Sequence, residues 1–516
     1  MAAIITDKIR ILNAKKFVAG VTTTANSYYS FVGLPNPTAI QSDWNDNPPS
    51  PTDNFSSEWD TWDTIIALKK ITPSDVKLMV KKSTWSSGTT YDYYRHDYSV
   101  SNPPANSSAT SLYSSNYYVI NSDFRVYICL QNGTTPETPE GKPSLDEPTF
   151  VDLEPRSAGT SGDGYIWKYL YTIKPSELVK FDSINYIPTP SNWETSDENS
   201  SIRQNAVAGG IKIVILKDRG VGVGTANKTY TRIPIKGDGT GAECTIVVNN
   251  DQKVESVTIS SQGSGYTFGN VDYIAGGVPT PTSPPVFDVI IPPSGGHGYD
   301  VYNELGAKNV LLYSRIENDS ENPDFIVGNE ISRIGLIENP LVFGSSQILS
   351  LDKASAVYAL RLTGTGYSTA RFTPDSIVSQ TIGTGITAVG KVINYDQITG
   401  VLKYWQDRTL AGFNTVGTAQ TLPQYGYDLT RFSSSPSIGG NLTVVGGSIN
   451  LSISTSFNGF STSINNRTYY LGQSFINGLA NPEVKKYSGN IIYIDNRPAI
   501  TRSTNQKEDI KVILQF

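Results

Sequence analysis

His96 beside Asp97 is the start of an acid–base pair, and it is the first place in this sequence to look for catalysis. No Gly-x-Ser-x-Gly nucleophile run accompanies it. The other histidine, His297, lies in the glycine-flanked run Gly295-Gly296-His297-Gly298. Both read as hydrogen-bonded structural residues. Glu58, Asp60 and Asp63 stand beside Trp59 and Trp62, the composition of a carbohydrate site. A glycosidase needs two carboxylates facing one bond at about 5–9 Å. A simpler reading places these acids at the start of a helix, where the N-terminal dipole favours them. The glycine clusters at 220–224 and 237–241 do not end in Gly-Lys-Ser/Thr and open no helix, which argues against a phosphate loop. No calcium-loop or nonapeptide β-roll pattern occurs. Cys129 and Cys244 are the only cysteines, too few for a structural zinc or iron–sulfur site. They are not expected to pair, and Cys129, inside the apolar run 126–130, reads as a small buried hydrophobe. The expectation is a chain with no catalytic residues, no metal, no cofactor and no small-molecule substrate.

Those residues sit in 516 positions, long enough for a large core and roughly two to four domains. With 45 Gly, 30 Pro and 30 Tyr, the composition favours short strands and many turns. A net charge of -6 and basic doublets no longer than Lys15-Lys16, Lys69-Lys70 or Lys81-Lys82 argue against a nucleic-acid binder. Asp7, Lys8 and Arg10 interrupt the apolar run after Ile4-Ile5, so no signal peptide is expected. No apolar stretch is long enough to span a bilayer.

Spacing of the apolar residues predicts a helix over 6–18, a strand over 28–33, and a short helix entering a strand within 59–71. Thr72-Pro73-Ser74-Asp75 reads as a cap with Pro at the first helical position. Strands are predicted over 117–120 and 124–130, followed by a long loop over 132–155. Over 165–173, strict alternation places Tyr165, Trp167, Tyr169, Tyr171 and Ile173 on one face, with Ile166, Lys168, Leu170 and Thr172 on the other. This strand is expected to carry excess apolar surface. The composition turns Gly-rich over 205–296, where 211–222 aligns with 254–265 as an internal repeat, and a looser third copy spans 358–367. Glycines there are read as turn residues of hairpins. A second shift covers 346–478 and includes a hairpin at 389–405 around Asp396 to Gly400, in a small barrel or sandwich. Ile491 to Ile494 read as a strand buried between layers, with a turn at Asp495-Asn496. Arg497 would bond turn carbonyls, and Pro498 would set the exit angle. The last strand is expected to turn Ile510, Val512, Leu514 and Phe516 inward.

Two segments are the most specific in the chain. One runs Gly162-Asp163-Gly164-Tyr165-Ile166-Trp167-Lys168-Tyr169 and on to Ile173. The other runs Ser488-Gly489-Asn490-Ile491-Ile492-Tyr493-Ile494-Asp495-Asn496-Arg497-Pro498 and on to Ile500. Together with 59–97 and 331–341, they resemble the baseplate wedge subunit (gene product eight) family of T4-like contractile-tailed bacteriophages. The resemblance covers 4–193, 298–342 and 482–516 in order. The segments 205–296 and 346–478 look like the repeat insertions of T4-like phages of cyanobacteria. The resemblance implies a non-enzymatic, mainly β protein with a multi-layer β-sandwich core, short helices and two inserted Gly-rich β modules. Its core would comprise 1–204, 297–345 and 479–516. It further implies a homodimer that contacts other wedge subunits in the tail baseplate of the virion, after synthesis in the host cytoplasm, without nucleic-acid or membrane partners. The residues it marks are structural: Gly162, Asp163, Gly164, Tyr165, Trp167, Tyr169, Ser488, Gly489, Tyr493, Asn496, Arg497 and Pro498. Tyr, Trp and the Gly-rich β units leave a glycan-binding or fibre-anchoring tail protein as the alternative. A secreted glycosidase is opposed by the missing signal peptide.

Overall fold

A computed structural model describes residues 3–36, 41–194, 200–317, 325, 330–384, 386–406, 430–437, 440–444, 447–503 and 506–516. The fold is mainly β, with 41% of residues in strands and 10% in helices. Two compact units divide the chain. The first comprises Met1–Val18, Lys77–Leu311 and Ile513–Phe516; the second comprises Ala19–Val76 and Leu312–Val512.

In the first unit, the helix Asp7–Thr22 buries Ile11 and Ala14, three residues apart on one face. A three-stranded antiparallel sheet orders Tyr118–Ile120, Arg125–Asn132 and Tyr165–Thr172. The strict alternation expected over 165–173 does not hold. Register shifts at Val126/Tyr127 and Cys129/Gln131 interrupt it, and both faces of the sheet are covered. Tyr165, Trp167, Lys168, Leu170 and Tyr171 are all buried, so the strand has no excess apolar surface. Residues 211–291 of the same unit supply a core of their own, including Ile211, Ile233, Cys244, Ile246 and Val254. A four-stranded sheet there runs in the order Val254–Ser264, Thr240–Val248, Thr229–Gly237, Gly269–Val271, next to the pair Val214–Asp218 and Val286–Val289. The two repeat copies lie against each other in opposite directions. Ile211 N donates to Gln262 O at 2.8 Å, and Val254 N donates to Arg219 O at 2.9 Å. Each copy ends on left-handed glycines, Gly220 and Gly222 in one and Gly263 and Gly265 in the other.

The second unit is built on a five-stranded antiparallel sheet in the order Lys353–Ser355, Ile65–Ile71, Tyr28–Gly33, Glu330–Glu338, Asn490–Thr501. Tyr28–Gly33 lies at its centre and is buried at every position, as its aromatic and apolar residues require; the one polar side chain, Ser30, hydrogen-bonds Ser314 Oγ at 2.6 Å. The helix Phe55–Thr64 feeds directly into Ile65–Ile71; Asn54 caps it by accepting from Ser57 N at 2.8 Å. Six further strands close into a barrel. Tyr358–Thr363, Asn450–Ile453, Leu442–Val444, Ile377–Gly383, Ile386–Asp396 and Val401–Trp405 pair in that order, and the last pairs back to the first. Closure removes free edges, and Leu360, Leu362, Val378, Val392, Leu402 and Leu442 contribute to its core. Residues 407–429 of the expected 346–478 module lie outside the described residues.

The C-terminal motif departs from expectation. Asn490–Thr501 is one continuous strand at the sheet edge, with no turn at Asp495-Asn496. Ile491 packs towards the core while Ile492 stays 38% exposed, so the segment is not buried between layers. Pro498 explains the edge position: it has no N–H for a ladder. It falls where Ile331 pairs with Ile500 but Arg333 pairs with Asn496, a bulge that absorbs the extra residues. In the last strand, Lys507–Gln515, Val512 is buried, whereas Ile510, Leu514 and Phe516 are half-buried.

Candidate functional site

Both histidines and their acidic neighbours are engaged locally. Asp97 faces Arg95, not His96: Arg95 Nε donates to its carboxylate at 2.6 Å, and the hydrogen bond from Arg95 holds that carboxyl below the usual range. Arg95 also pairs with Asp288. His96 Nδ1 accepts from Ile291 N at 3.3 Å. His297 is buried, with Nδ1 2.6 Å from Glu304 Oε1, while Glu304 Oε2 accepts from Gly298 N at 2.7 Å. The Tyr94 ring meets His297 edge-on at 4.7 Å. Lys168 is buried in the same unit, and its Nζ donates to Leu153 O at 2.8 Å; burial pushes its pKa down.

Glu58, Asp60 and Asp63 all lie in the helix Phe55–Thr64. Only Glu58 is in the first turn, as a helix-start reading requires; Asp60 is mid-helix and Asp63 falls in the last turn, because the helix begins at Phe55. Asp60 O accepts from Arg333, and the buried Asp63 carboxylate accepts from Tyr487 Oη. Trp62 is buried, so it offers no platform. Cys129 and Cys244 are free and buried, and burial pushes both thiols up, Cys244 to about 12. Among the described residues no group of three or more His, Cys, Asp or Glu side chains could hold a metal ion. No helix among them is long and apolar enough to cross a membrane.

Gly162, Asp163, Gly164, Tyr165, Trp167 and Tyr169 form a clamp within the first unit. Asp163 accepts from Tyr165 N at 3.0 Å with one oxygen and from Leu145 N at 2.9 Å with the other. Gly164 is left-handed, and a Cβ there would lie 2.7 Å from Gly133 Cα. The long loop 132–164 is thus closed backbone against backbone, a contact only glycine permits. Tyr165 Oη donates to Lys142 O at 2.7 Å and accepts from Tyr91 N at 2.9 Å. Its ring stacks on Trp167 at 5.3 Å, and Tyr169 Oη pairs with Thr172 Oγ1 at 2.7 Å.

Ser488, Gly489, Tyr493, Asn496, Arg497 and Pro498 form a second clamp, in the second unit. Ser488 Oγ accepts from Leu341 N at 3.0 Å and donates to Lys485 O. Gly489 is left-handed, and a Cβ there would meet Glu338 O at 2.5 Å. Tyr493 pairs with Leu336 across the ladder. Asn496 Nδ2 donates to Pro49 O at 2.9 Å, Trp44 Nε1 to Arg497 O at 2.8 Å, and Ala499 N to Asn45 Oδ1 at 2.8 Å. The loop around 44–49 is therefore fastened to the edge strand. The Arg497 guanidinium bonds Asp495 at 2.7 Å, not turn carbonyls, because no turn is formed there.

Sequence reasoning missed the ionic residues that brace these clamps. Arg333 is buried and donates to Asp60 O, Thr64 Oγ1 and Asn36 Oδ1, with the Trp44 ring 5.0 Å away; burial pushes its pKa down to about 10. Glu304 has no motif around it. The available signal for Arg333 was a lone charge inside an otherwise apolar strand run. No protein-family model matches the chain, and no curated protein matches it. The two clamps fasten loops to sheets.

Proposed function

We propose that this chain is a structural subunit of a phage tail baseplate wedge, assembling as a homodimer with other wedge proteins in the baseplate used for host attachment and sheath contraction. The observation that carries the reading is where the two most family-like segments sit. Both 162–169 and 488–498 serve as tertiary fasteners, with polar side chains committed to backbone groups of their own units. A subunit that must keep its shape under load needs such fasteners, and it needs no active site. The strand Tyr165–Thr172 is mostly buried in the single chain, so this reading does not draw on it for the dimer surface.

Antibody raised against the purified chain tests the assignment on negatively stained virions of the source phage. Labelling at the baseplate end of the tail is expected. Absence of the chain from purified virions overturns the reading. Light scattering at micromolar concentration is expected to give about twice the chain mass, since obligate homodimers bury large interfaces. A strict monomer at every concentration refutes the dimer alone.

A further inference from the structure

The helix Asp7–Thr22 has two apolar stripes, and its own unit uses only one. Ile11 and Ala14 face inward, and Phe17 packs against Phe516 with ring centroids 5.5 Å apart. Ile9 and Leu12 point the other way, with Ile5 just ahead of the first turn, which Thr6 O opens by accepting from Ile9 N at 3.1 Å. At 3.6 residues per turn Ile9 and Leu12 fall on one face, roughly opposite Ile11 and Ala14, and Ile5 precedes that face just ahead of the cap. They are 69%, 48% and 50% exposed for Ile5, Ile9 and Leu12 respectively, and Ile4 beside them is 86% exposed. Single exposed aliphatics need no explanation, but an aligned cluster of them does.

The rim of this stripe is cationic only. Lys8 flanks it and Lys16 continues it one turn beyond Leu12; both are exposed, and among the described residues neither forms an ion pair. The nearby acids are spent elsewhere: Asp7 pairs with Lys308 at 2.9 Å, while Asp300 and Glu194 take Lys15 at 3.2 and 3.6 Å. A second copy of the chain is a poor occupant, because two-fold pairing of these faces sets lysines against lysines. A bilayer is a poor one too. An interfacial helix sinks its apolar face about 5–10 Å into the lipid, whereas Ile11 and Ala14 hold this helix down in its unit. We propose that the 5–12 face docks an amphipathic helix of another protein, with apolar residues at i, i+3/i+4, i+7 and Asp or Glu along its flanks. This rests on the surface itself, independently of the baseplate reading.

The test uses the full chain and a fluorescein-labelled synthetic helix with a leucine stripe and glutamate flanks, alongside the same helix with lysine flanks. Anisotropy is expected to show binding of the glutamate peptide on the order of micromolar, weakening as salt rises. Binding should fall by roughly tenfold or more in an Ile9→Ser/Leu12→Ser variant and in a Lys8→Glu/Lys16→Glu variant. The latter variant should gain affinity for the lysine-flanked peptide. Unchanged melting temperatures are expected for both variants; a large drop would mean that the stripe is part of the core, and would overturn the proposal. It is also overturned by failure of the wild type to bind the glutamate peptide, by equal affinity for both peptides, by tighter binding to phosphatidylserine vesicles through the same residues, or by variants that abolish self-association instead.

Discussion

Replacing Gly335 by alanine puts a methyl group where three strands of the second unit converge. Gly335 lies in Glu330–Glu338, opposite Phe31 on one side and Ile494 on the other. A Cβ there would lie 2.2 Å from Phe31 Cζ and 2.3 Å from Tyr493 O. The ring would have to retreat by about 1.2 Å to regain ordinary contact near 3.4 Å. Phe31 is fully buried, so it has nowhere to go. Overpacking of this kind costs about 1–3 kcal/mol. Displacing Tyr493 O also loosens the edge ladder, at about 1 kcal/mol per hydrogen bond lost. The expected total is about 2–4 kcal/mol, a fall of roughly 5–15 °C in the melting of a unit of this size. Scanning calorimetry measures it, and hydrogen exchange should show amides of 490–496 opening early. Gly344→Ala is the control. Gly344 is left-handed (φ +69°) with open space around it, so only a backbone penalty of about 1 kcal/mol is expected. Phe31→Leu in the Gly335→Ala background should recover part of the loss through coupling of neighbours. If Gly335→Ala melts like the wild type, or if the two substitutions simply add, the close packing of Phe31 on Gly335 is refuted.

Three further outcomes follow from the first unit. Joining Val207 to Gly296 by a short linker in place of 208–295 should leave a soluble, folded remainder by circular dichroism. A Cβ on Gly296 would lie only 2.4 Å from Val207 O, so the ends already meet, and Arg95 keeps Asp97 after losing Asp288. Wholly insoluble product would make the module part of the core. Iodoacetamide should leave Cys129 and Cys244 unlabelled in native buffer and label both in denaturant, because burial raises both thiol pKa values and suppresses the thiolate. Rapid native labelling would mean that these strands open. The hydrogen bond from Arg219 lowers the Glu137 pKa to about 2, against an ordinary value of 4.5. A depressed carboxyl stabilises fully above its unfolded pKa and loses that contribution as pH falls through the folded one. The melting difference between wild type and Glu137→Gln should therefore be small, present near roughly pH 6, shrinking below about pH 4.5 and gone only below about pH 2. A gap that persists in acid would exclude this ion pair as its source.

What the sequence disclosed was local. Tyr28–Gly33 was legible because a short run rich in aromatic and β-branched residues that ends at Gly33 and Pro35 has few other solutions. The hairpin expected at 389–405 was legible through its turn chemistry, though its first strand starts at Ile386: the Asp396 carboxylate accepts from Ile398 N at 2.9 Å and from Thr399 Oγ1 at 2.7 Å, and Gly400 adopts φ +74°. The helix before Ile65 was foreseen but its start was not: it begins at Phe55 with Asn54 as its cap, ahead of the expected 59, so Asp63 falls in the last turn rather than the first. Partner choice was not legible. Closure of the barrel depends on Tyr358–Arg361 meeting Val401–Tyr404 some forty residues away, and no local pattern specifies that pairing. Strand 165–172 looked alternating because bulges are invisible in a one-dimensional pattern. Pro498 did carry the missing information about its strand: a proline inside a β run points to an edge or a bulge, and here both apply.

The edge placement of 490–501 also changes what the C-terminal motif can be doing. A strand buried between layers contributes through apolar area alone, whereas an edge strand leaves one backbone side open unless something covers it. Here the covering is divided. Trp44, Asn45 and Pro49 fasten the 496–499 end through three hydrogen bonds of 2.8–2.9 Å. Pro498 withholds a donor from the same end. Residues 490–495 receive no comparable cover among the described residues and carry the exposed Ile492. The polar residues of the motif therefore act as a stop on further pairing at one end of the strand. They also hold the 44–49 loop in place, and that loop is anchored in turn by Arg333 beneath Trp44. The same logic holds at Gly162 to Tyr169, where Asp163 and Tyr165 fix the loop 132–164 ahead of the strand that follows it. In both places, polar and aromatic side chains hold a loop to a sheet.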